Sequence, residues 1–348
     1  MFGTSRDGII NACSHYQEHV AHWYNVKSIP EPVRQSLAEV MAGWTWELCR
    51  GGLSGAVLWQ GRDHTGQIRV ALKCWPVEMT PQRLAQIHRW IQQANRFPFV
   101  PHIYSWRNAR TVSQHEGLCW DISRWQPGQP RDKPTLKEVE LACQAVGQLH
   151  TAWPVQHYGL CPAVQSRIHW LSRWLWAPRV SDGLLRRYAP WESLLRDAER
   201  ILREQAEPVL ERLECWGRLE GPLQVCVRDL RAEHVLFSDA EGTPTVSGIV
   251  DFGAAQVDHP IIDLARLLGD YAASAPAESA EFFAAGVQAY ENAGRHLGRW
   301  RDCVPLLSQA GALAAVVRWL DRLEQNTAIP ASAETVFQRV HKLLCRWL

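Results

Sequence analysis

The sequence predicts an α+β fold of two lobes: a small antiparallel-sheet lobe, then a large, mainly helical one. Three observations predict it. Strand-like runs concentrate between residues 44 and 125. The Pro- and Gly-rich stretch "QPGQPRDKP" (126–134) then reads as a hinge. Beyond it helical periodicity dominates, interrupted by one strand–loop–strand unit at 223–251.

Taken in order, residues 10–42 read as helical, with "VRQSLAEVMAGW" carrying apolar residues three and four apart. "GAVLWQG" and "IRVALKCW", joined by "RDHTG", form a hairpin behind a Gly-rich turn. "TPQRLAQIHRWIQQANRF" is a helix capped by Thr80, with Pro81 at its first position. "VPHIYSW" and "LCWDISRW" read as two more strands. After the hinge, "TLKEVELACQAVGQLHTAW" is an amphipathic helix capped by Thr135. Residues 164–219 give helices broken at "WAPRVSDG" and "YAP", and more follow at 261–272, 277–293, 303–324 and 332–347. This divides the chain into an N-terminal helical extension (1–43), a sheet lobe (44–127) and a helical lobe (128–348).

Composition narrows the class. Of 348 residues, 46% are apolar and 21% charged, as in ordinary globular proteins. The net charge of +1 supplies no basic surplus for nucleic acid. The ten cysteines form no C-x-x-C pair and read as free thiols of a reducing compartment. The start lacks a signal-peptide pattern, and the run "AGALAAVV" (310–317) is far shorter than the ~20 residues that span a bilayer. The expected location is therefore cytoplasmic, with no membrane partner. The 18 tryptophans read as core filling.

Chemistry is concentrated in "VCVRDLRAEHVLF" (225–237) and "GIVDFGAAQVDHPIIDLARLLG" (248–269). Two apolar strands deliver Asp229 and Asp251 to their loop ends, with His234 five residues after the first. Phosphoryl transfer from ATP uses such a set: one carboxylate to orient and deprotonate a hydroxyl, and a second to hold a cation. Upstream, the turn "GGLSG" (51–55) lets backbone N–H groups approach phosphates, or simply enters the hairpin. Lys73 in "VALK" stands on the following strand, as a phosphate contact or an ordinary edge lysine.

These motifs, in this order, resemble the aminoglycoside phosphotransferase and choline kinase-like family, the small-molecule branch of the protein-kinase-like fold. "VRDLRAEHVLF", "IVDFGAA" and "DLARLLG" match its loop, metal strand and following helix, and "GGLSGAVLW", "VALKCWP" and "ACQAVGQLHTAW" match its upstream parts. The resemblance covers roughly residues 45–270. It implies a bilobal fold that binds ATP and Mg²⁺, with Asp229 as catalytic base and Asp251 as metal ligand. Gly52, Ser54, Gly55 and Lys73 would meet the nucleotide phosphates. Segment 119–125, with Asp121 and Ser123, would be the linker that binds adenine. Asp263 would tie the metal strand to the catalytic loop, and Arg228 resembles the protein-kinase version of that loop.

The chain departs from the family pattern at three positions. Val227 replaces the first histidine of the loop. His234 stands where the family has asparagine as a second metal ligand, so it is a metal ligand suited to Mn²⁺, a phosphate contact, or the mark of an inactive site. The helix at 81–96 has no carboxylate for Lys73, leaving Gln82, Gln86, His88 or Glu78, of which Glu78 is the choice. The expected function is γ-phosphoryl transfer from ATP to a hydroxyl of a small molecule. The alternatives are a pseudokinase-like scaffold and an atypical protein kinase, the latter disfavoured because no activation segment follows "DFG". From residue 276 onward, seven acids stand against eight bases, which does not suit a polycationic aminoglycoside. Choline would need an aromatic cage, for which Trp170, Trp174, Trp176, Tyr188 and Trp191 are candidates.

Overall fold

Strand β3 (Ile68–Cys74) shows why the first lobe forms. Val70, Leu72 and Cys74 are buried, while Ala71 and Lys73 between them are half-buried. That is the period-two pattern of a sheet with two unlike faces. β3 pairs antiparallel with β2 (Val57–Arg62) and with β5 (Leu118–Arg124). The outer strands β1 (Thr45–Cys49) and β4 (Ser113–His115) complete the order β1-β2-β3-β5-β4. This computed structural model describes residues 28–38, 41–49, 55–106, 108–177, 180–240, 242–326 and 332–348.

The chain forms two units. The first contains the described residues up to His88 and the stretch His102–Trp125. One face of its sheet packs Trp59, Leu72, Trp120 and Ile122 against Ile29, Val33, Leu37 and Met41, three of which flank or belong to α1 (Glu31–Ala38). The indoles of Trp59 and Trp120 stack with centroids 5.4 Å apart. The described end of the N-terminal extension thus completes this core, while residues 1–27 lie outside the described residues. A second cluster joins Ala56, Trp75 and Cys119 to Leu84 of α2 (Pro81–Gln93). Thr80 caps α2 by accepting the Arg83 N–H at 3.2 Å.

Two expectations need correction here. "VPHIYSW" forms no strand. Only Ile103 bridges Ser123, because Pro101 lacks a donor and the chain touches the sheet briefly. Segment 119–125 is not a linker; it lies almost wholly in β5, a strand hydrogen-bonded on both edges. Tyr104 N–H donates to Ile122 C=O and Arg124 N–H to His102 C=O, while Trp125 N–H donates to Arg69 C=O on the other side. By alternation, the backbone groups of Asp121 and Ser123 face β3, against Lys73 and Ala71. They have no edge left for adenine.

The second unit contains Arg89–Pro101 and almost everything after Trp125. The first of these segments belongs there because the Trp153 indole donates to Trp90 C=O at 2.9 Å and Ile249 N–H to Phe99 C=O at 2.8 Å. The helices are α3 (Leu136–His150), α4 (Pro162–Trp176), α5 (Asp182–Arg187), α6 (Glu192–Gly217), α7 (Ile261–Ser274), α8 (Ser279–Asn292), α9 (Val304–Glu324) and α10 (Ala333–Leu344). Thr135 and Glu138 form a reciprocal capping box at the start of α3. Gly147 lets α3 approach α8: a Cβ there would stand 2.7 Å from the Ala293 methyl and 2.8 Å from Tyr290 O. Strand β7 (Glu220–Cys226) runs between β6 (His157–Leu160) and β10 (Gln256–Asp258), and β8 (Val235–Ala240) pairs with β9 (Thr243–Ile249). Residues Gly298–Glu324, which include α9, are long and apolar enough to cross a membrane, yet are mostly buried within the protein.

The cysteines among the described residues are free. Burial pushes the Cys74 and Cys161 thiols up to about 12, so they stay protonated and inert.

His259, at the start of α7, is 1% exposed and packs on Trp300. Burial, aided by His150, pulls its pKa down to about 3. Below the unfolded value near 6.5 the unfolded chain therefore binds a proton that the folded one does not, and stability falls with pH. We expect this group to cost about 2 kcal/mol on going from pH 7.5 to 5. Urea denaturation at the two pH values should show a smaller loss for His259→Phe than for the wild type.

Candidate active site

The site is built around one helix-start carboxylate. Asp263, in the first turn of α7, is fully buried. Its Oδ2 accepts the Val227 N–H at 2.7 Å and its Oδ1 the Arg228 N–H at 2.6 Å. His150, at the end of α3, donates from Nε2 to Oδ2 at 3.0 Å and accepts the Tyr290 hydroxyl at Nδ1, 2.8 Å away. Cys226 is close to both, and the three residue types suggest a metal set. Both imidazole nitrogens are already hydrogen-bonded, however, so the cluster reads as structural. Val227 contributes through its backbone where the family has a histidine side chain.

Downstream of that tie the backbone is strained at two non-glycine residues. Arg228 has φ 67° and Asp251 has φ 61° with ψ 63°. Left-handed geometry costs side-chain-bearing residues about 1–3 kcal/mol each and concentrates at functional sites. Arg228 is held from both ends: its N–H by Asp263, and its guanidinium by Asp258 (Nε to Oδ2, 3.1 Å) and Gln256.

Asp229 follows, with its side chain 40% exposed. Arg266 of α7 donates to its Oδ1 at 3.0 Å, and Arg231 Nε lies 3.5 Å from its Oδ2. A 3-10 turn, Ala232–His234, brings His234 back beneath the loop. The His234 Nδ1–H donates to the Asp229 carbonyl at 2.7 Å. This fixes the tautomer and leaves the Nε2 lone pair facing Asp251 Oδ2 at 3.7 Å and Arg231 Nη2 at 3.3 Å. Desolvation lowers the His234 pKa, which Asp251 opposes and Arg231 assists. The Val250 N–H donates to His234 C=O at 2.9 Å, locking the end of β9 to the turn. The second unit thus brings together Asp229, His234, Asp251, Arg228 and Asp263.

The remaining sequence-selected residues lie in the first unit. Lys73 Nζ sits 3.9 Å from the Trp75 ring centroid. Its partner across the β3/β5 ladder is Asp121, so both side chains leave the same face of the sheet. Asp121 is buried and accepts at Oδ2 from the Trp75 indole (2.8 Å) and from His88 of α2 (2.9 Å). Ser123 is half-buried, Gly55 has φ 72° and Glu78 is exposed just before α2. Gly52 and Ser54 lie outside the described residues.

The aromatic cage does not assemble. Tyr188 and Trp191 both pack on Phe337, Trp174 is buried, and Trp176 is 90% exposed. Sequence reasoning missed Arg231 and Arg266, which flank Asp229. Arg266 stands three residues after Asp263 in "DLARLLG", the spacing of one helical turn, and that was the available signal.

A sheet lobe and a helical lobe with this loop pattern define a bilobal, protein-kinase-like α+β fold. A profile of the phosphotransferase enzyme family matches residues 45–303, and the chain belongs to that family. Three solved structures share the fold. An amicoumacin kinase in complex with AMP-PNP, Ca²⁺ and Ami is 11% identical, with TM-score 0.61 over 94% of this chain and 95% of that one. A spectinomycin phosphotransferase in complex with ADP and its antibiotic is 12% identical, with TM-score 0.61 over 90% and 97%. The ethanolamine kinase of Plasmodium vivax is 12% identical, with TM-score 0.55 over 100% and 95%. No curated protein matches the sequence.

Replacing Asp263 by alanine strands two backbone N–H groups and His150. Each lost charge-assisted bond is worth about 1.5–3 kcal/mol, so we expect a loss of at least about 3 kcal/mol in urea denaturation.

Proposed function

We propose that this member of the phosphotransferase enzyme family transfers the γ-phosphoryl group of ATP to a hydroxyl of a small molecule. The observation that carries the reading is the loop in which Asp229 and the facing pair His234–Asp251 are held by one hydrogen-bonded frame. Asp229 orients the acceptor hydroxyl and takes its proton. Arg266 keeps the carboxylate aimed and leaves most of its acceptor sites open.

Asp251 and His234 suit a divalent cation, which would displace Arg231 Nη2 from the His234 Nε2 lone pair that lies beside Asp251 Oδ2. When bound, that cation neutralises charge on the phosphate oxygens. The nitrogen donor favours Mn²⁺ over Mg²⁺, which prefers oxygen. In the first unit Lys73 contacts nucleotide phosphates, with Gly52, Ser54 and Gly55 on the covering turn. Asp121 leaves the same face of the sheet as Lys73, across the β3/β5 ladder.

A scaffold without catalysis is the second reading. It is favoured by the ion pairs on Asp229 and by histidine in place of asparagine.

Thermal shift and labelled-ATP transfer separate the two. Asp229→Asn should keep the shift given by ATP with metal and lower transfer by about 10²–10⁴-fold. Asp251→Asn should lose the shift. A wild type that shifts with no metal and transfers no label is a scaffold.

The metal assignment has its own check. The wild type should work better with Mn²⁺ than with Mg²⁺, and His234→Asn should reverse that order in the same transfer assay. An unchanged order removes His234 from the cation site.

A further inference from the structure

The environment of Asp229 is unusually cationic. Arg228, Arg231 and Arg266 surround the loop, and Arg318 of α9 interacts electrostatically with Asp229, Arg228 and Arg266. The carboxylates that answer them are few. Asp258 pairs with Arg228, Glu233 with Arg231 at 2.6 Å, and Asp229 itself is shared by Arg231 and Arg266. Arg318 and Arg322 have no ion-pair partner among the described residues. Arg318 is nonetheless exposed to solvent. Protein packed around it, and then the charges of Arg266 and Arg322, pull its pKa below the ordinary arginine value, against Asp229.

Behind this surface the excess continues. A small cavity between α4, α7 and α9 is lined by Arg167, Arg266 and Arg346, with Asp270 as its one carboxylate. Arg167 bonds only to the carbonyls of Ala163 and Leu307, and Arg266 Nε has no hydrogen-bond partner among the described residues. Gly311 makes room for the Arg167 guanidinium, which a Cβ there would meet at 3.0 Å. A cationic acceptor brought to Asp229 would be repelled by these groups, whereas an anionic one would supply the missing counter-charge.

We propose that the acceptor is an anionic hydroxy compound, whose carboxylate or phosphate monoester is held by Arg318 and its arginine neighbours while its hydroxyl meets Asp229. This rests on the phosphotransferase reading above and adds the substrate class to it.

The test separates a metabolite extract by ion exchange into cationic, neutral and anionic fractions and offers each to the enzyme with labelled ATP and Mn²⁺ or Mg²⁺. The expected labelled product comes from the anionic fraction. Treating that fraction with alkaline phosphatase beforehand abolishes labelling if the anchor is a phosphate ester and spares it if it is a carboxylate. With the purified acceptor, Arg318→Met should raise KM about tenfold or more and change kcat much less, with Arg318→Lys in between. A product from the cationic or neutral fraction overturns the proposal, as does an unchanged KM in Arg318→Met. No labelled product from any fraction overturns the phosphotransferase reading itself, and the proposal with it.

Discussion

Everything at this site depends on a buried carboxylate with no counter-charge of its own. Asp263 is stabilised by two backbone N–H groups and one imidazole rather than by an arginine or lysine. Hydrogen bonds to an ionised acceptor are short and strong, and in a buried setting they replace the hydration the carboxylate has lost. The bonded N–H groups belong to consecutive residues, Val227 and Arg228. Fixing both is what forces Arg228 into left-handed geometry and turns the chain so that Asp229 projects outward. The network reaches back through His150 to Tyr290, and therefore through α3 to α8. The close α3–α8 approach that Gly147 permits is thus part of how the loop is shaped.

His234 extends this frame toward Asp251. An asparagine at this position would offer a carbonyl oxygen and an amide. The imidazole instead uses one nitrogen to bond the Asp229 carbonyl and presents the other to Asp251 Oδ2 and Arg231 Nη2. One ring therefore couples the geometry of Asp229 to that of Asp251. Burial lowers its pKa against the opposing charge of Asp251.

Much of this was legible in the sequence, and the limits are physical. The β2–β3 hairpin, the caps of α2 and α3, and the carboxylates at strand ends are local features, written within a few residues of one another. Strand β1 was hard to see because it is an edge strand with no buried residue to set an alternation. "LCWDISRW" reads as a strand and forms β5; only the family resemblance made the same segment a linker. The run does not reveal that Trp75 and His88, 46 and 33 residues away, satisfy the aspartate inside the core. Arg228 and Arg231 flank Asp229 within the loop, but Arg266 and Arg318 reach it from α7 and α9. The spacing of Arg266 from Asp263 in "DLARLLG" and the near balance of acids and bases after residue 276 were the signals available.

The position of Asp121 carries one further consequence for Lys73. Among the described residues this deep carboxyl group accepts from an indole and an imidazole. Lys73 is its cross-strand neighbour, on the same face, above the indole that donates to the aspartate. In this arrangement the sheet itself places a carboxylate on the face from which the lysine projects. The helix contributes His88, a hydrogen-bond donor to the aspartate. The ladder register, rather than the docking of a helix, sets the distance between this carboxylate and the lysine.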